Sequence, residues 1–215
     1  MRNRFYLACF RDNLGSSISF HCIDGKGYST NVDKAHVYTL SEAQKEWDTA
    51  REYDQPISAD HIDSLAVWKV DHQLIPNKPL ITADVEEYAA FVEGKWDGND
   101  VYWLNIETAD TSTDFLKASV LSRANVLGLS RSYIVIPYSL ADQVKRRTFS
   151  KEDYKPRVMV QGAGLKMPDH IKRDRRKKIN PKSRFNCPSC GKINWQFNPY
   201  EFDSCSTCGH IGDLT

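Results

Sequence analysis

The sequence has no apolar run of the roughly 18 to 20 residues that a membrane-spanning helix needs. Its first residues, MRNRFYLACFRDN, contain only a short apolar run before Arg11 and Asp12, which is too short for the core of a signal peptide. A glycine-rich phosphate loop is also missing, since QGAG at 161–164 has neither the spacing nor the lysine of such a loop. We therefore expect a cytoplasmic protein with no membrane partner, whose cysteines stay reduced.

Net charge is almost absent, because 29 Lys and Arg oppose 28 Asp and Glu. The charges are nevertheless unevenly distributed along the chain. Residues 1–140 contain 13 basic and 20 acidic side chains, whereas residues 166–184 contain nine basic and two acidic side chains. This pattern indicates an acidic body followed by a basic linker, and such a density of Lys and Arg suits the neutralisation of phosphates. A solvated tether between domains is the alternative interpretation.

An internal similarity appears when the sequence is compared with itself at an offset of 83 residues. The segment STNVDKAHVYT, which begins at Ser29, aligns with STDFLKASVLS, which begins at Ser112. The same offset aligns Gly15 with Gly98 without a gap. We therefore predict a tandem repeat of one small α+β unit, with the two copies forming a single body.

Each copy begins with two strand-like runs that are separated by a polar turn and predict a hairpin, FYLACF with ISFHC and YAAFV with VYWL. In the first copy Thr39 or Ser41 can cap a helix, because each is followed three residues later by Glu or Gln. The second copy has a weaker helix signal, with Ser122 at the cap and Ala124 and Leu127 inside. A strand is predicted after each helix, in LAVWKV and YIVIPY, and a last strand in PRVMVQGAG.

Two CxxC pairs separated by fourteen residues lie near the end of the sequence. They consist of Cys187, Cys190, Cys205 and Cys208. The two-residue gap lets both sulfurs of one turn reach the same ion, at about 2.3 Å for zinc. Gly191 and Gly209 follow the pairs, where such a turn needs a positive φ. This spacing predicts a four-thiolate zinc site, and a thioredoxin-type redox pair is disfavoured because no βαβ unit surrounds the motifs.

At CPSCG and CSTCG the tail resembles the zinc-ribbon family, whose two knuckles are carried by β-hairpins. The resemblance covers residues 185–215, and it implies that the four cysteines are the zinc ligands and that His210 is a neighbour of the site. So short a segment buries little core, so zinc must supply much of its folding free energy. The body, with YST and KAHVYTLSEAQ, is similar to uncharacterised accessory proteins of temperate bacteriophages, which implies a bacterial cytoplasm and identifies no substrate.

Basic and aromatic residues around the cysteines predict binding to nucleic acid. Trp195, Phe197, Tyr200 and Phe202 lie between the knuckles, and those that stay exposed offer stacking surfaces to single-stranded bases. The predicted contacts are Lys172, Arg173, Arg175, Arg176, Lys177 and Lys178 in the linker and Lys182, Arg184, Lys192 and Trp195 in the ribbon. The sequence leaves open whether the ligand is DNA or RNA.

Signals for catalysis in the body are weak. The segment EGKW places Glu93 and Lys95 in an ExK arrangement that some nucleases use, with Asp84 upstream. Asp84 and Glu93 flank one short strand, however, whereas that chemistry needs its acids on neighbouring strands. The segment ADHID at 59–63 is typical of a polar turn with a helix cap, and the two cysteines of the body are typical of strand core.

The sequence thus predicts a non-enzymatic, zinc-containing protein with an accessory or regulatory role. Its predicted domains are an α+β repeat at 1–83, a second α+β repeat at 84–165, a basic linker at 166–184 and a zinc ribbon at 185–215. The linker and ribbon would bind nucleic acid, and the acidic body would contact a protein partner. A protein-interaction module or inhibitor of a bacterial or host machine is the alternative, and a metal-dependent nuclease is the third hypothesis.

Overall fold

The structure is a computed structural model that describes residues 3–177 and 182–212. The chain divides into two compact units, Met1–Lys166 and Met167–Thr215, which we call unit 1 and unit 2. Within the described residues, no helix is both long enough and apolar enough to cross a membrane.

The fold is mixed, with mainly antiparallel strands and few helices. The strands are β1 (Arg4–Leu14), β2 (Ser17–His21), β3 (Tyr28–Ser29), β4 (Tyr38–Thr39), β5 (Asp54–Ser58), β6 (Val67–Lys69), β7 (Glu87–Asp97), β8 (Asp100–Asn105), β9 (Asp110–Ser112), β10 (Leu121–Ser122), β11 (Tyr133–Pro137), β12 (Arg146–Thr148), β13 (Ser183–Asn186) and β14 (Ile193–Gln196). The helices are α1 (Leu40–Thr49), α2 (Ala59–Leu65), α3 (Arg123–Val126), α4 (Tyr138–Val144) and α5 (Asp169–Lys177).

Unit 1 contains two sheets with the same strand arrangement. In the first, β1 pairs with β2, β4 and β5, and in the second, β7 pairs with β8, β10 and β11. Strands β1, β2 and β4 begin 83 residues before β7, β8 and β10. The offset falls to 79 residues from β5 onwards, because the segment between β10 and β11 is four residues shorter than the segment between β4 and β5. We call residues 3–83 and 84–166 the first and second halves, and their origin as copies of one unit stays a prediction.

The two halves exchange the segments that follow α2 and α4. Strand β6 of the first half pairs with β12 of the second half. Val70, directly after β6, is buried in the core of the second half beside Trp103. Phe149, directly after β12, is buried in the core of the first half beside Phe20. Each half therefore completes its apolar core with residues from the other half.

The turns of the two long hairpins meet between the sheets. Gly15 and Gly98 have φ values of 58° and 64°, and a Cβ on Gly15 would lie 2.5 Å from the Gly98 nitrogen. Beside them the buried Lys69 Nζ lies 3.0 Å from Asp97 Oδ2 and 2.9 Å from Ser16 Oγ. Burial opposes ionisation of Asp97, but the hydrogen bonds from Ser16 and Lys69 outweigh it and lower its pKa. The contact therefore requires glycine on both sides and is held by a buried ion pair.

The sequence left Thr39 and Ser41 as alternative caps of α1, and the structure has Thr39 at the cap. The Thr39 hydroxyl accepts from the Glu42 backbone N–H at 3.4 Å, and Glu42 Oε2 accepts from the Thr39 backbone N–H at 2.8 Å. This reciprocal pair is a capping box, so Thr39 rather than Ser41 starts the helix. Ala43 and Trp47 are buried on the same face of α1.

Two predictions about local structure in the second half were wrong. Ala124 and Leu127 are exposed, and Val126 is the buried residue of α3. Helix α3 is a single turn, so its inward side is set by the preceding strand and not by helical periodicity. The segment PRVMVQGAG contains a π-helical turn, Arg157–Gln161, instead of a strand. Short apolar runs between Pro and Gly fit either structure, and this turn buries Met159 and Val160.

The sequence analysis treated LAVWKV in the first half as the counterpart of YIVIPY in the second half, but the structure does not. LAVWKV contributes only β6, whereas β5 is the strand that pairs with β1 in the way that β11 pairs with β7. Strand β5 escaped prediction because DQPIS contains Pro56 and few apolar residues, and proline is tolerated there because β5 bonds only to β1. The predicted polar turn ADHID is the first part of α2.

Candidate metal centre

The first knuckle is the turn of the hairpin that joins β13 to β14. The Cys187 backbone N–H donates to the Lys192 carbonyl at 2.8 Å, and the Gly191 N–H donates back to the Cys187 carbonyl at 2.9 Å. Gly191 has a φ of 69°, which closes this turn in a conformation that favours glycine. The turn brings the thiols of Cys187 and Cys190 to one side of the hairpin.

The second knuckle repeats this hydrogen-bond pattern. The Cys205 N–H donates to the His210 carbonyl at 2.7 Å, and the Gly209 N–H donates to the Cys205 carbonyl at 3.0 Å. Gly209 has a φ of 74°, so the positive φ predicted after both cysteine pairs is confirmed. Cys208 completes the second pair of thiols. Two turns of equal geometry therefore present two thiols each.

The four sulfurs form one cluster. Cys187 Sγ lies 3.7 Å from Cys208 Sγ, Cys190 Sγ lies 3.6 Å from Cys205 Sγ, and all four sulfurs lie within 4.8 Å of one another. Metal–sulfur bonds of about 2.3 Å in a tetrahedron require sulfur–sulfur distances of about 3.8 Å. The cluster fits that requirement, so the four cysteines could hold a metal ion. In the described part of the chain, no other group of three or more His, Cys, Asp or Glu does so.

A buried amide that the sequence analysis missed supports the second knuckle. Asn194 is only 6% exposed, and its Nδ2 donates to Cys205 Sγ at 3.5 Å. Its Oδ1 accepts from the Ser206 N–H at 2.9 Å and from the Ser206 hydroxyl at 3.0 Å. Hydrogen bonds of this kind orient metal ligands and tune their basicity. The only sequence signal was a polar residue at an alternating position of a short strand.

The thiols of the cluster hold their protons unequally. Hydrogen bonds, first from the Cys208 backbone N–H and also from Asn194, lower the pKa of Cys205 to about 5 against the effect of burial. The Lys192 backbone N–H acts in the same direction on Cys190, but burial and the neighbouring thiols outweigh it and raise the pKa of Cys190 to about 12. Metal ligation requires thiolates, so a metal ion would displace the remaining protons.

Strand β14 has its polar side chains inside and its apolar side chains outside. Asn194 and Gln196 are buried, whereas Ile193 and Trp195 are about half exposed. Gln196 ties down the following loop, because its Oε1 accepts from the Asp203 N–H at 2.9 Å and its Nε2 donates to the Glu201 carbonyl. The buried side chains of β14 contact a thiol and loop backbone, which need hydrogen-bond donors and acceptors. Apolar side chains are therefore directed outward.

The outward face of the β13–β14 hairpin combines aromatic and basic residues, and we call it the ribbon face. Arg184 lies directly opposite Trp195 in the strand register, so both project from the same face. Lys182 Nζ lies 5.0 Å from the centre of the Phe197 ring, and Phe197 is 69% exposed. Tyr200 is 89% exposed in the loop beyond. Of the four aromatic residues predicted between the knuckles, three are thus exposed.

Phe202, the fourth, is partly buried and packs inside the ribbon. Its ring centre lies 6.3 Å from those of Phe185 and His210. His210 therefore stacks on Phe202, and the thiol cluster found in the structure does not include it. One of the four aromatic residues between the knuckles therefore packs inside unit 2, and the other three are exposed to solvent.

The structure describes the side chains of only some of the residues that are predicted to contact nucleic acid. Lys172 and Arg173 are exposed on α5, and Lys172 Nζ lies 2.9 Å from Asp169 Oδ1. The backbones of Arg175, Arg176 and Lys177 belong to α5, but their side chains and the whole of Lys178 lie outside the described residues. In unit 2, Lys182, Arg184 and Lys192 are exposed, as is Trp195.

The ExK segment of unit 1 has no metal-binding partners in the described residues. Glu93 and Lys95 are exposed on β7, and Lys95 Nζ lies 4.4 Å from the centre of the Tyr102 ring. Asp84 is exposed before β7. The described residues offer no carboxylate cluster here, since their one potential metal group is the four cysteines. The nuclease hypothesis based on Glu93 therefore has no structural support.

Comparison with protein-family models, with curated proteins and with solved structures found no match for this chain. The relation to bacteriophage accessory proteins consequently has no support from relatives. What can be said of the C-terminal site follows from its own geometry.

Proposed function

We propose that unit 2 is a zinc ribbon that binds single-stranded nucleic acid through its ribbon face, assisted by the basic residues of α5. Zinc is supported by the donor set, because four thiolates in a tetrahedral arrangement are typical of structural zinc sites. A segment this short has little apolar core of its own, so the ion would stabilise the fold that presents the ribbon face.

The observation that carries the proposal is the inverted strand β14. Trp195 on β14 and Phe197 directly after it are 52% and 69% exposed, whereas the buried side chains of β14 are polar. Burying an aromatic side chain is favourable by about 1.5 to 3 kcal/mol, so leaving several exposed on one face indicates a surface that a partner covers.

The chemistry of the ribbon face favours nucleic acid over protein. Arg184 is the cross-strand neighbour of Trp195, and Lys182 lies over Phe197, so a cation accompanies each ring. Aromatic rings stack on unpaired bases, and neighbouring cations neutralise the adjacent phosphates. Stacking does not depend on the sugar, so DNA and RNA are both expected to bind. The charge of residues 166–184 adds to the same electrostatic attraction.

Two substitutions on the ribbon face should have different effects on binding to a single-stranded oligonucleotide. Trp195→Ala should weaken affinity by about 1 to 3 kcal/mol while the salt dependence stays the same, because stacking releases no counterion. Arg184→Ala should flatten the log–log salt dependence by about one unit, because one phosphate contact is lost. Fluorescence anisotropy titrations at several salt concentrations measure both quantities.

Trp96→Ala provides the matched control, because Trp96 is also exposed but stacks on His72 in unit 1. Its affinity should equal that of the unchanged protein. If the zinc-loaded protein has no affinity for single-stranded DNA or RNA at low salt, the proposal fails and the ribbon face is a protein-docking surface instead.

A further inference from the structure

Unit 1 has a surface cavity of about 350 Å³ that is lined by two histidines, His21 and His36. The His36 backbone N–H donates to the His21 carbonyl at 2.9 Å, beside the bridge between Cys22 and Ala35. Residues directly opposite in such a pair have Cβ atoms about 5 Å apart and project from the same face. Both histidines therefore project from the same face and line one cavity.

A buried carboxylate orients one of these imidazoles. Asp54 is 4% exposed, and its Oδ1 lies 3.2 Å from His21 Nε2. Its other oxygen accepts from Arg51 Nε at 2.7 Å. The carboxylate fixes the His21 proton on Nε2, and Nδ1 is then left as a proton acceptor. An acceptor of this kind is what a general base requires.

The second half of unit 1 shows that the fold does not need this polar cluster. At the positions of His21, His36 and Asp54 in the matching strands stand Leu104, Ser119 and Tyr133. Leu104 is buried in an apolar cluster under α3, and the same sheet arrangement is formed there. A function other than stability therefore accounts best for the ionisable cluster in the first half.

The neighbouring surface is suited to a single-stranded nucleic acid. Tyr28 lies opposite His21 on β3 and is exposed, with its ring centre 4.8 Å from the imidazole. Arg51 donates to the Tyr28 hydroxyl at 2.5 Å and lies 4.6 Å from the centre of the Tyr53 ring. Arg11 lies 4.8 Å from the same ring. Rings and guanidinium groups thus alternate beside the cavity, as on surfaces where bases stack and phosphates bind.

We propose that this cavity cleaves single-stranded RNA by metal-independent transphosphorylation. His21 Nδ1 removes the proton of a ribose 2′-hydroxyl, and the 2′-oxygen forms a bond to the adjacent phosphorus. The bond from phosphorus to the 5′-oxygen of the next nucleotide breaks, and the His36 imidazolium donates its proton to that oxygen. The products are a 2′,3′-cyclic phosphate and a 5′-hydroxyl, and proton exchange with water restores both histidines.

RNA is the substrate class because it carries its own nucleophile. The described lining of the cavity has one carboxylate, Asp24, which is exposed, so it offers no cluster to hold a catalytic metal ion. Two imidazoles acting as base and acid match the intramolecular attack of a 2′-hydroxyl. DNA lacks this hydroxyl and should not be cleaved.

The test uses the full-length protein and a 5′-labelled single-stranded RNA of mixed sequence, without added divalent metal. Fragments ending in a 2′,3′-cyclic phosphate are expected, and the same RNA with 2′-O-methyl groups should stay intact. His21→Gln and His36→Gln should each reduce the cleavage rate by about 100-fold or more. His72→Gln, at a histidine distant in sequence from both and outside the cavity lining, should leave the rate unchanged.

Asp54 has a positioning role in this scheme. Asp54→Asn, assayed well below its own melting temperature, should lower kcat about tenfold or more with KM unchanged, whereas a purely structural role would change only the melting temperature. An unchanged kcat would overturn the role assigned to Asp54.

Absence of cleavage would overturn the proposal, and so would products with 3′-hydroxyl ends. Equal cleavage rates in the unchanged protein and in both histidine variants would also overturn it. Circular dichroism and the melting temperature establish that the variants are folded. The proposal stands apart from the function of the ribbon face, because the cavity belongs to unit 1 and the histidine variants leave the ribbon face of unit 2 unchanged. Loss of cleavage with retained binding therefore tests the cavity alone.

Discussion

A single buried amide shows how unit 2 positions the thiols of its candidate metal site. An inward-facing Asn on a strand is unfavourable unless its polar atoms find partners. Asn194 satisfies both ends, since its Nδ2 donates to Cys205 Sγ and its Oδ1 accepts twice from Ser206. It therefore links the β13–β14 hairpin to the second knuckle and stabilises the thiolate form of Cys205.

Purified protein should contain about one zinc per chain, and Asn194→Ala should lower the zinc affinity roughly 10- to 100-fold, as is usual for the loss of a ligand-orienting partner. Competition with a chromophoric chelator measures the affinity. Asn186→Ala is the control, because Asn186 is exposed on the same hairpin. Equal zinc affinities in the two variants would contradict the role of Asn194. Cys187→Ser should abolish zinc binding, while unit 1 stays folded.

At the level of elements, the start of α1 is determined by four consecutive residues. The backbone N–H of Thr39 donates to Glu42 Oε2, and this bond is the largest cause of the lowered pKa of Glu42. A carboxyl group whose pKa is lowered by folding stabilises the fold above its unfolded pKa. That contribution is lost as the pH falls through the lower pKa of the folded state.

Thr39→Ala should therefore destabilise unit 1 by about 0.5 to 2 kcal/mol near neutral pH, because the capping oxygen is removed. Urea unfolding at neutral pH and at pH values below the folded pKa of Glu42 measures the effect. The difference from the unchanged protein should shrink in acid, because the Thr39 hydroxyl also donates to Glu42 Oε2 at 2.8 Å and protonation of Glu42 weakens that bond. Ser41→Ala should cost less, and an equal loss in both variants would contradict the assigned cap.

At the scale of the whole body, exchange of the segments after α2 and α4 makes the two halves interdependent. Phe149 belongs to the second half in sequence and to the first half in packing, and Val70 has the opposite placement. The ion pair of Lys69 and Asp97 lies where the halves meet. Neither half can bury its core alone, so unit 1 should unfold as one cooperative body.

Phe149→Ala should lower the stability of unit 1 by about 3 to 5 kcal/mol, because a fully buried ring is lost. Scanning calorimetry should show one transition for unit 1, shifted to lower temperature, with both halves lost together. Leu127→Ala is the control, since Leu127 is exposed on α3. Separate melting of the two halves in Phe149→Ala would show that the exchange does not couple them.

Several features of the protein could be predicted because they depend on residues a few positions apart. The spacing of the cysteines and the glycines after them specified the two knuckles, and the sequence narrowed the cap of α1 to Thr39 or Ser41, of which the structure has Thr39. The opening hairpins followed from alternating apolar residues. The strand β5 and the π-helical turn could not be predicted in this way, because their local sequences fit more than one structure.

The sequence by itself determined the composition of the metal site, the strongest local caps and turns, and the distribution of charge between body and linker. Only the tertiary structure decided the exchange between halves, the inversion of β14 and the juxtaposition of His21 and His36 with Asp54. The physical reason is sequence distance. Local hydrogen bonds and ligand spacing act within a few residues, whereas these features depend on which distant strands pair and which face of each is buried.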